Sequence, residues 1–128
     1  MMGFVYLAVP YSGLKPVERN IAVSRSFRAS AWLMKEGFHP FNPVGFGHFL
    51  EGLVKMEVSH ARWLAYARPF LAAASGLAVL IHPGWRESLG VQYEITYFLS
   101  VHRPISYLYP GKGEEPFVME KAIREDIL

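Results

Sequence analysis

The sequence contains no cysteine, which excludes disulfides, thiolate metal sites and cysteine nucleophiles. Aspartate is almost as scarce, because Asp126 is the only one among 128 residues. A catalytic carboxylate in the body of the domain must therefore come from a glutamate. Carboxylate-rich Mg²⁺ or Ca²⁺ sites need several acidic oxygens, so we expect no metal site.

Charge clusters and long apolar runs are also missing. The formal net charge is only +2 and the basic residues form no block, so nucleic-acid binding is not indicated. The longest apolar run, residues 70–81, includes Ser75 and Gly76 and is too short to span a bilayer. The N-terminus lacks the pattern of a signal peptide. We expect a cytoplasmic protein without nucleic-acid or membrane partners.

The residues that are present predict a single α/β domain over residues 1–128. Hydrophobic residues make up 52% and charged residues 19% of the sequence, as in globular proteins. Short apolar runs between turn residues predict four strands, at residues 4–9, 38–42 (an edge strand), 77–81 and 104–109. Helix starts are predicted at Pro16, after Ser59, after Ser88 and at Pro116.

Apolar residues at helical spacing predict which helix faces are buried. The predicted core stripe of the first helix, which ends near Glu36, is Val23, Phe27, Ala31 and Met34. The helix after Ser59 is expected to face the sheet with Trp63, Ala67, Phe70, Leu71 and Ala74. The predicted stripe of the last helix is Met119, Ile123 and Ile127. Residues 43–50, rich in glycine and aromatics, predict a loop that becomes helical toward Val58.

Strands that alternate with helices predict a mostly parallel sheet covered on both faces. With right-handed crossovers, the fold class is a flavodoxin-like, three-layer, doubly wound sheet of four to five strands. In the strand order 2-1-3-4 of that class, the switch point lies between the first and third strands. Ligands bind in such a crevice, which here is bordered by the loops at residues 11–13 and 83–85.

The segment after the third strand carries the strongest functional pattern. Ser88 is a good helix N-cap, so free N–H groups and the positive end of a helix face the crevice and attract anions. Glu94 lies roughly 9 Å farther along this helix, beside the apolar positions Val91 and Ile95. Two interpretations of Glu94 stay open: a partly exposed helix glutamate paired with an arginine, or a nucleophile.

Residues 88–95, SLGVQYEI, resemble the signature of the nucleoside 2-deoxyribosyltransferase superfamily, most closely the variant in 2′-deoxynucleoside 5′-phosphate N-hydrolases. Residues 6–12, YLAVPYS, together with Arg19 and residues 84–88, GWRES, are similar to a small uncharacterised branch of that superfamily. The likeness covers about residues 3–109. It implies cleavage of the N-glycosidic bond of a nucleotide or nucleoside, no cofactor, and a homodimer.

The resemblance also implies roles for individual residues. Glu94 would attack C1′ of the sugar, Tyr6 would orient it, and Ser88 marks the branch that accepts 5′-monophosphates. The other candidate substrate-binding residues are Gly90, Arg19, Ser12, Trp85 and His48.

Several of these candidates have plainer interpretations. Arg19 is suited to clamping a phosphate, but an isolated surface arginine looks the same in the sequence. His48 either lines the pocket or makes structural hydrogen bonds. Trp85 or Phe46 either stacks on the base or belongs to local packing.

The pattern departs from the superfamily where the departing base is assisted. Relatives usually have an acid at the positions of Ala67 and Ser75, and no acidic residue occurs between Glu57 and Glu87. Help for the base would have to come from His48, His82, Glu87 or water. The departure weakens base transfer in particular, because base exchange requires proton transfer to and from two bases.

Three hypotheses follow. The first is an N-glycosidase, hydrolase or transferase, that acts on a nucleoside 5′-monophosphate, the 2′-deoxy form above all, with Glu94 as nucleophile. The second is a catalytically impaired nucleotide-binding or sensor module on the same fold. The third, weaker, is a flavin carrier, which the few Ser/Thr residues after the first strand disfavour.

Overall fold

A computed structural model of the chain describes residues 3–54, 59–112 and 116–122. Its elements are β1 (Val5–Ala8), α1 (Pro16–Lys35), β2 (Pro40–Phe41), α2 (Pro43–Val54), α3 (His60–Ala73), β3 (Gly76–Leu80), α4 (Leu89–Ser100), β4 (Ile105–Tyr109) and β5 (Val118–Lys121). The strands form one sheet with the order β2-β1-β3-β4-β5. All neighbours are parallel except β4 and β5. The predicted order and the flavodoxin-like three-layer fold are confirmed.

The sheet has a separate core on each face, because successive side chains of a strand point to opposite sides. On the α1 side, Val5 and Leu7 of β1 pack with residues of α1 and with Ala78 and Leu80 of β3. On the α4 side, Tyr6 and Ala8 pack with the buried faces of α3 and α4. Tyr6 therefore shares a core with α4, the helix that carries Glu94.

The helix boundaries follow the predicted signals. Gly37 follows α1 with a φ of +93°, the left-handed conformation that a residue just past a helix often adopts. The Ser59 and Ser88 hydroxyl oxygens cap α3 and α4, accepting hydrogen bonds from the backbone N–H groups of Arg62 and Val91. These N-caps are confirmed.

The predicted core stripe of α1 is wrong at three of its four positions. Val23 is buried, but Phe27 and Met34 are more than half exposed, and Ala31 is also exposed. The buried residues are Ala22, Val23, Ser26, Ala29 and Leu33. The Phe27 ring turns instead toward Gly45 of α2.

Residues 43–50 belong to a helix from Pro43 onward, so the predicted loop is wrong. The Asn42 carboxamide oxygen accepts from the Gly45 N–H at 3.0 Å, and its NH₂ group donates to the Ser26 hydroxyl at 2.9 Å. Asn42 thus caps α2 and ties it to α1, and Pro43 suits the first helical position. Gly45 and Gly47 are places of close packing in this helix, Gly45 against Phe27 and Gly47 against Trp63.

The segment after Pro116 is a strand where the sequence predicts a helix. Val118–Lys121 pairs antiparallel with β4, from Tyr109 opposite Val118 to Ser106 opposite Lys121. Phe117 is buried and its ring lies 6.0 Å from that of Trp32, so it anchors the strand to the core. Met119 belongs to this strand, while Ile123 and Ile127 lie outside the described residues. Within the described ranges, no helix combines the length and apolar character needed to cross a membrane.

Candidate active site

Tyr6 and Glu94 meet on the α4 side of the sheet. Tyr6 is fully buried in β1, and Glu94, although charged in water, is only 8% exposed. The alternative of a partly exposed helix glutamate therefore does not describe this side chain. A carboxyl group that deep in a core is rare unless it has a partner or a task.

Burial governs the protonation of both groups. It raises the pKa of Glu94 to about 8, and the interaction with the Tyr6 hydroxyl acts against this by lowering it. The pKa of Tyr6 lies well above its usual range, first through burial and second through the nearby Glu94. In the described part of the chain the Tyr6 hydroxyl forms no hydrogen bond of standard geometry, although it lies close enough to Glu94 to change the pKa of that carboxyl group.

The amino end of α4 lies in the crevice at the carboxyl ends of β1 and β3. Ser88 is buried, and its Oγ accepts from the Val91 N–H at 3.3 Å. The hydroxyl hydrogen of Ser88 is then still available to donate to an anion. A Cβ added at Gly90 would stand 3.9 Å from the same hydroxyl oxygen. Ser88 and Glu94 therefore stand on one helix, roughly 9 Å apart along its axis.

A continuous group of aromatic rings extends from Tyr6. The Phe41 ring lies edge-on to Tyr6 at 6.0 Å and stacks on Phe70 at 4.5 Å. Tyr66 lies 5.4 Å from both Phe70 and Trp63, and Phe46 stacks on Tyr66 at 6.4 Å. We call these five residues, Phe41, Phe46, Trp63, Tyr66 and Phe70, the aromatic wall.

The aromatic wall adjoins Tyr6 through Phe41, and Tyr66 is close enough to contribute to the raised pKa of Tyr6. Tyr93, next to Glu94 on α4, has the same effect. Trp63 and Phe70 of the predicted sheet-facing set are only partly buried and belong to the wall, whereas Ala67, Leu71 and Ala74 are buried. Sequence reasoning missed Phe41 and Tyr66 as site residues. The spacing of Trp63, Tyr66 and Phe70 along one helix was the available signal.

A second polar group joins the loop after β1 to α2. The Tyr11 hydroxyl lies 2.8 Å from Nδ1 of His48 and donates to Oε1 of Glu51 at 2.9 Å. The Arg19 guanidinium lies over the Tyr11 ring, 5.0 Å from its centroid. Arg19 and His48, predicted separately, are thus brought together by Tyr11. The sequence placed Tyr11 in a loop that borders the crevice but did not indicate its contact with His48 or the role of Glu51, because no local spacing reports contacts between distant segments.

The remaining candidates are Ser12 and Trp85. Ser12 is exposed in the loop after β1. Trp85 leans toward β4, with its ring 5.6 Å from Tyr107 and the Arg86 guanidinium 4.5 Å from its centroid. Trp85 therefore belongs to local packing. Of the two aromatic residues proposed to stack on the base, Phe46 is the one that belongs to the aromatic wall.

The two positions that lack the usual acid have structural roles here. Ala67 is buried in the α4-side core, and the Ser75 hydroxyl donates to the Phe4 carbonyl at 2.9 Å. His82 is buried, and its Nδ1 accepts from Arg25 at 2.8 Å. Among the described residues, no three His, Asp or Glu side chains come together as a metal site would require.

The fold and the site define a flavodoxin-like α/β protein in which a buried tyrosine–glutamate pair lies on the α4 side of the sheet. The chain belongs to the family described as a domain of unknown function, DUF1937, whose model matches residues 3–109. No curated protein matches the chain.

Proposed function

We propose that this protein is an N-glycosidase that hydrolyses a 2′-deoxynucleoside 5′-monophosphate, with Glu94 as nucleophile. The observation that supports it best is the pairing, on one helix, of a capped amino end at Ser88 with a buried carboxyl group at Glu94. The separation of roughly 9 Å along the helix suits a 5′-phosphate at one end and the sugar C1′ at the other. The resemblance of residues 88–95 to the nucleoside 2-deoxyribosyltransferase signature supports the same assignment.

In the proposed reaction, the phosphate rests at the amino end of α4. Backbone N–H groups and the helix dipole attract it, and the Ser88 hydroxyl donates to it. Arg19, on the first turn of α1, contributes positive charge at the same edge of the sheet. The sugar then lies above Tyr6 and Glu94, and the base contacts the aromatic wall, since bases stack on aromatic rings.

Cleavage of the N-glycosidic bond passes through an oxocarbenium-like transition state. The Glu94 carboxylate attacks C1′ and forms a covalent glycosyl ester, which water then hydrolyses. Positive charge that develops on the sugar is stabilised by the carboxylate in a dry site, where electrostatic interactions are strong. Because burial holds the Glu94 pKa at about 8, the reactive carboxylate is the minor form at neutral pH.

The test is release of free base from the common deoxynucleoside and ribonucleoside 5′-monophosphates, followed by chromatography. Wild type is expected to release base, and Glu94→Gln to lose at least about 10³-fold in kcat/KM, as losses of catalytic nucleophiles do. Glu36→Gln, at the exposed end of α1, is the matched control and is expected to retain full activity. Equal background release by wild type and Glu94→Gln would contradict the proposal.

A second candidate function is a nucleotide sensor without turnover. It is favoured by Ala67 and Ser75, which replace the usual acids, and by the largely protonated state of Glu94 at neutral pH. It predicts calorimetric binding of a nucleotide that Glu94→Gln leaves unchanged, with no base released. Absence of binding at millimolar nucleotide would contradict both functions.

A further inference from the structure

The hydrogen bonds of Tyr11 define the protonation of His48. A tyrosine hydroxyl carries one hydrogen, and here it is donated to Oε1 of Glu51 at 2.9 Å. The contact of 2.8 Å with His48 Nδ1 must then be a hydrogen bond that Nδ1–H donates to the Tyr11 oxygen. With Nδ1 so engaged, Nε2 is the ring nitrogen of His48 that can take up and release a proton.

This chain of His48, Tyr11 and Glu51 lies at the same edge of the sheet as the proposed sugar site. Tyr11 follows β1, the strand that holds Tyr6. On α2, the two residues before His48 touch the aromatic wall: Phe46 stacks on Tyr66, and Gly47 lies directly against the Trp63 ring. His48 therefore belongs to the rim of the region in which the base is proposed to bind.

We propose that His48 is the acid that protonates the departing base, and that Tyr11 and Glu51 are positioning residues for its ring. This inference rests on the proposed glycosidase function. Imidazole suits both halves of such a reaction because it exchanges protons near neutral pH. The negative charge of Glu51, at the far end of the chain, balances the imidazolium, while Arg19 lies over the intervening Tyr11 ring.

The structure removes the other acids that the sequence leaves open. His82 is buried, and its Nδ1 is occupied by the Arg25 guanidinium. Glu87 is exposed in the loop before α4. Ala67 and Ser75 carry no acid, and both are engaged in the structure of the core or its edge.

The Glu94 carboxylate forms a bond to C1′, the C1′–N bond breaks, and its electron pair leaves with the base. The base takes a proton from Nε2–H of the His48 imidazolium. Neutral His48 then removes a proton from water as that water attacks C1′ of the glycosyl ester. Free 2-deoxyribose 5-phosphate is released, and the Glu94 carboxylate and the His48 imidazolium are regenerated.

Leaving groups that need no proton distinguish an acid from a residue that only shapes the site. We would compare the best deoxynucleoside 5′-monophosphate with p-nitrophenyl 2-deoxyribose 5-phosphate, whose nitrophenolate departs as a stable anion. His48→Gln is expected to lose about 10²–10⁴-fold in kcat/KM on the nucleotide and less than about tenfold on the nitrophenyl substrate. His39→Gln, at an exposed position before β2, is the matched control and is expected to match wild type on both.

Two further variants keep the test independent of how well His48→Gln folds. Tyr11→Phe keeps the ring beneath Arg19 but breaks the link to Glu51, and Glu51→Gln keeps a hydrogen-bond acceptor but removes the charge. Both are expected to show the same selective loss on the nucleotide, at smaller size. Equal losses on both substrates, or no loss on either, would overturn the role of His48 while leaving the glycosidase intact. A wild type inactive on both substrates would instead overturn the proposed function itself.

Discussion

The Tyr6 hydroxyl and the Glu94 carboxyl face each other across the boundary between β1 and α4, and each changes the acidity of the other. Glu94 raises the pKa of Tyr6, and Tyr6 lowers the pKa of Glu94. Burial outweighs this mutual effect for Glu94 and keeps its pKa at about 8. In the folded protein, Glu94 therefore keeps a proton that the unfolded chain would release at neutral pH.

This proton links stability to pH. An unfolded glutamate has a pKa near 4.3, whereas that of folded Glu94 is about 8. Between these values the folded state binds the extra proton, so the free energy of unfolding falls as pH rises, by roughly 1 kcal/mol per pH unit. The contribution is complete below the unfolded pKa and is lost through pH 8. Urea unfolding of wild type and Glu94→Gln from pH 5 to 8 measures it. Parallel pH dependences for the two proteins would contradict this origin.

Tyr6→Phe tests the second half of the pair. Removal of the hydroxyl removes the interaction that lowers the Glu94 pKa, so that pKa is expected to rise further. Carbon NMR titration of the Glu94 carboxyl group reports it without reference to activity. Because the hydroxyl is buried without a hydrogen bond of standard geometry, its loss is expected to leave stability unchanged or raise it by up to about 1 kcal/mol. A lowered Glu94 pKa, or a loss above about 2 kcal/mol, would refute this account.

Ser88 is expected to serve both the helix and the substrate, and two variants separate the roles. Ser88→Ala removes the cap and is expected to cost about 1 kcal/mol of stability. Ser88→Asp keeps a capping oxygen but adds a negative charge where the phosphate is proposed to bind. For this variant, we expect kcat/KM to fall at least about tenfold for a deoxynucleoside 5′-monophosphate, which corresponds to about 1.4 kcal/mol of repulsion. The unphosphorylated deoxynucleoside is the control. Equal effects on both would show that the phosphate does not lie there.

Gly47 and Gly52 offer a matched pair on α2. A Cβ at Gly47 would clash with the Trp63 ring, whereas a Cβ at Gly52 would meet nothing within 4 Å. Gly47→Ala is therefore expected to cost about 1–3 kcal/mol through overpacking, and Gly52→Ala to stabilise by about 0.4–1 kcal/mol. Urea unfolding of the two variants decides. Two variants of equal stability would show that Trp63 is not held against Gly47.

Much of the fold was predictable because its signals are local. Strands β1, β3 and β4 are short apolar runs between turn residues, and Ser59, Ser88 and Gly37 mark helix ends through their own backbone hydrogen bonds or conformation. The α1 stripe failed because helical spacing alone does not choose between two apolar faces. The face with Ala22, Ser26, Ala29 and Leu33 is the buried one, and Phe27 packs toward Gly45 of α2 instead. Pro116 suggested a helix start, but pairing with the edge of β4 decided that segment.

The candidate site also has a part that could be predicted from the sequence and a part that could not. Tyr6 and Glu94 were predicted as a pair by the motif resemblance, which names both residues. The contacts of Tyr11 with His48 and Glu51 join positions 37 and 40 residues apart, and no periodicity reports such a distance. The aromatic wall likewise depends on how β2, α2 and α3 are arranged in space.

The antiparallel β5 also determines how the sheet ends. In the described part of the sheet, its outer border consists of β5, with the exposed charged residues Glu120 and Lys121, on one side, and β2, where Pro40 lacks an N–H group, on the other. Charged residues and proline at such borders hinder the addition of foreign strands. Detachment of β5 would expose the unpaired backbone N–H and C=O groups of β4, with which a foreign strand pairs far more readily. We therefore expect aggregation of this protein to begin with release of this last strand, well before the core around Tyr6 opens.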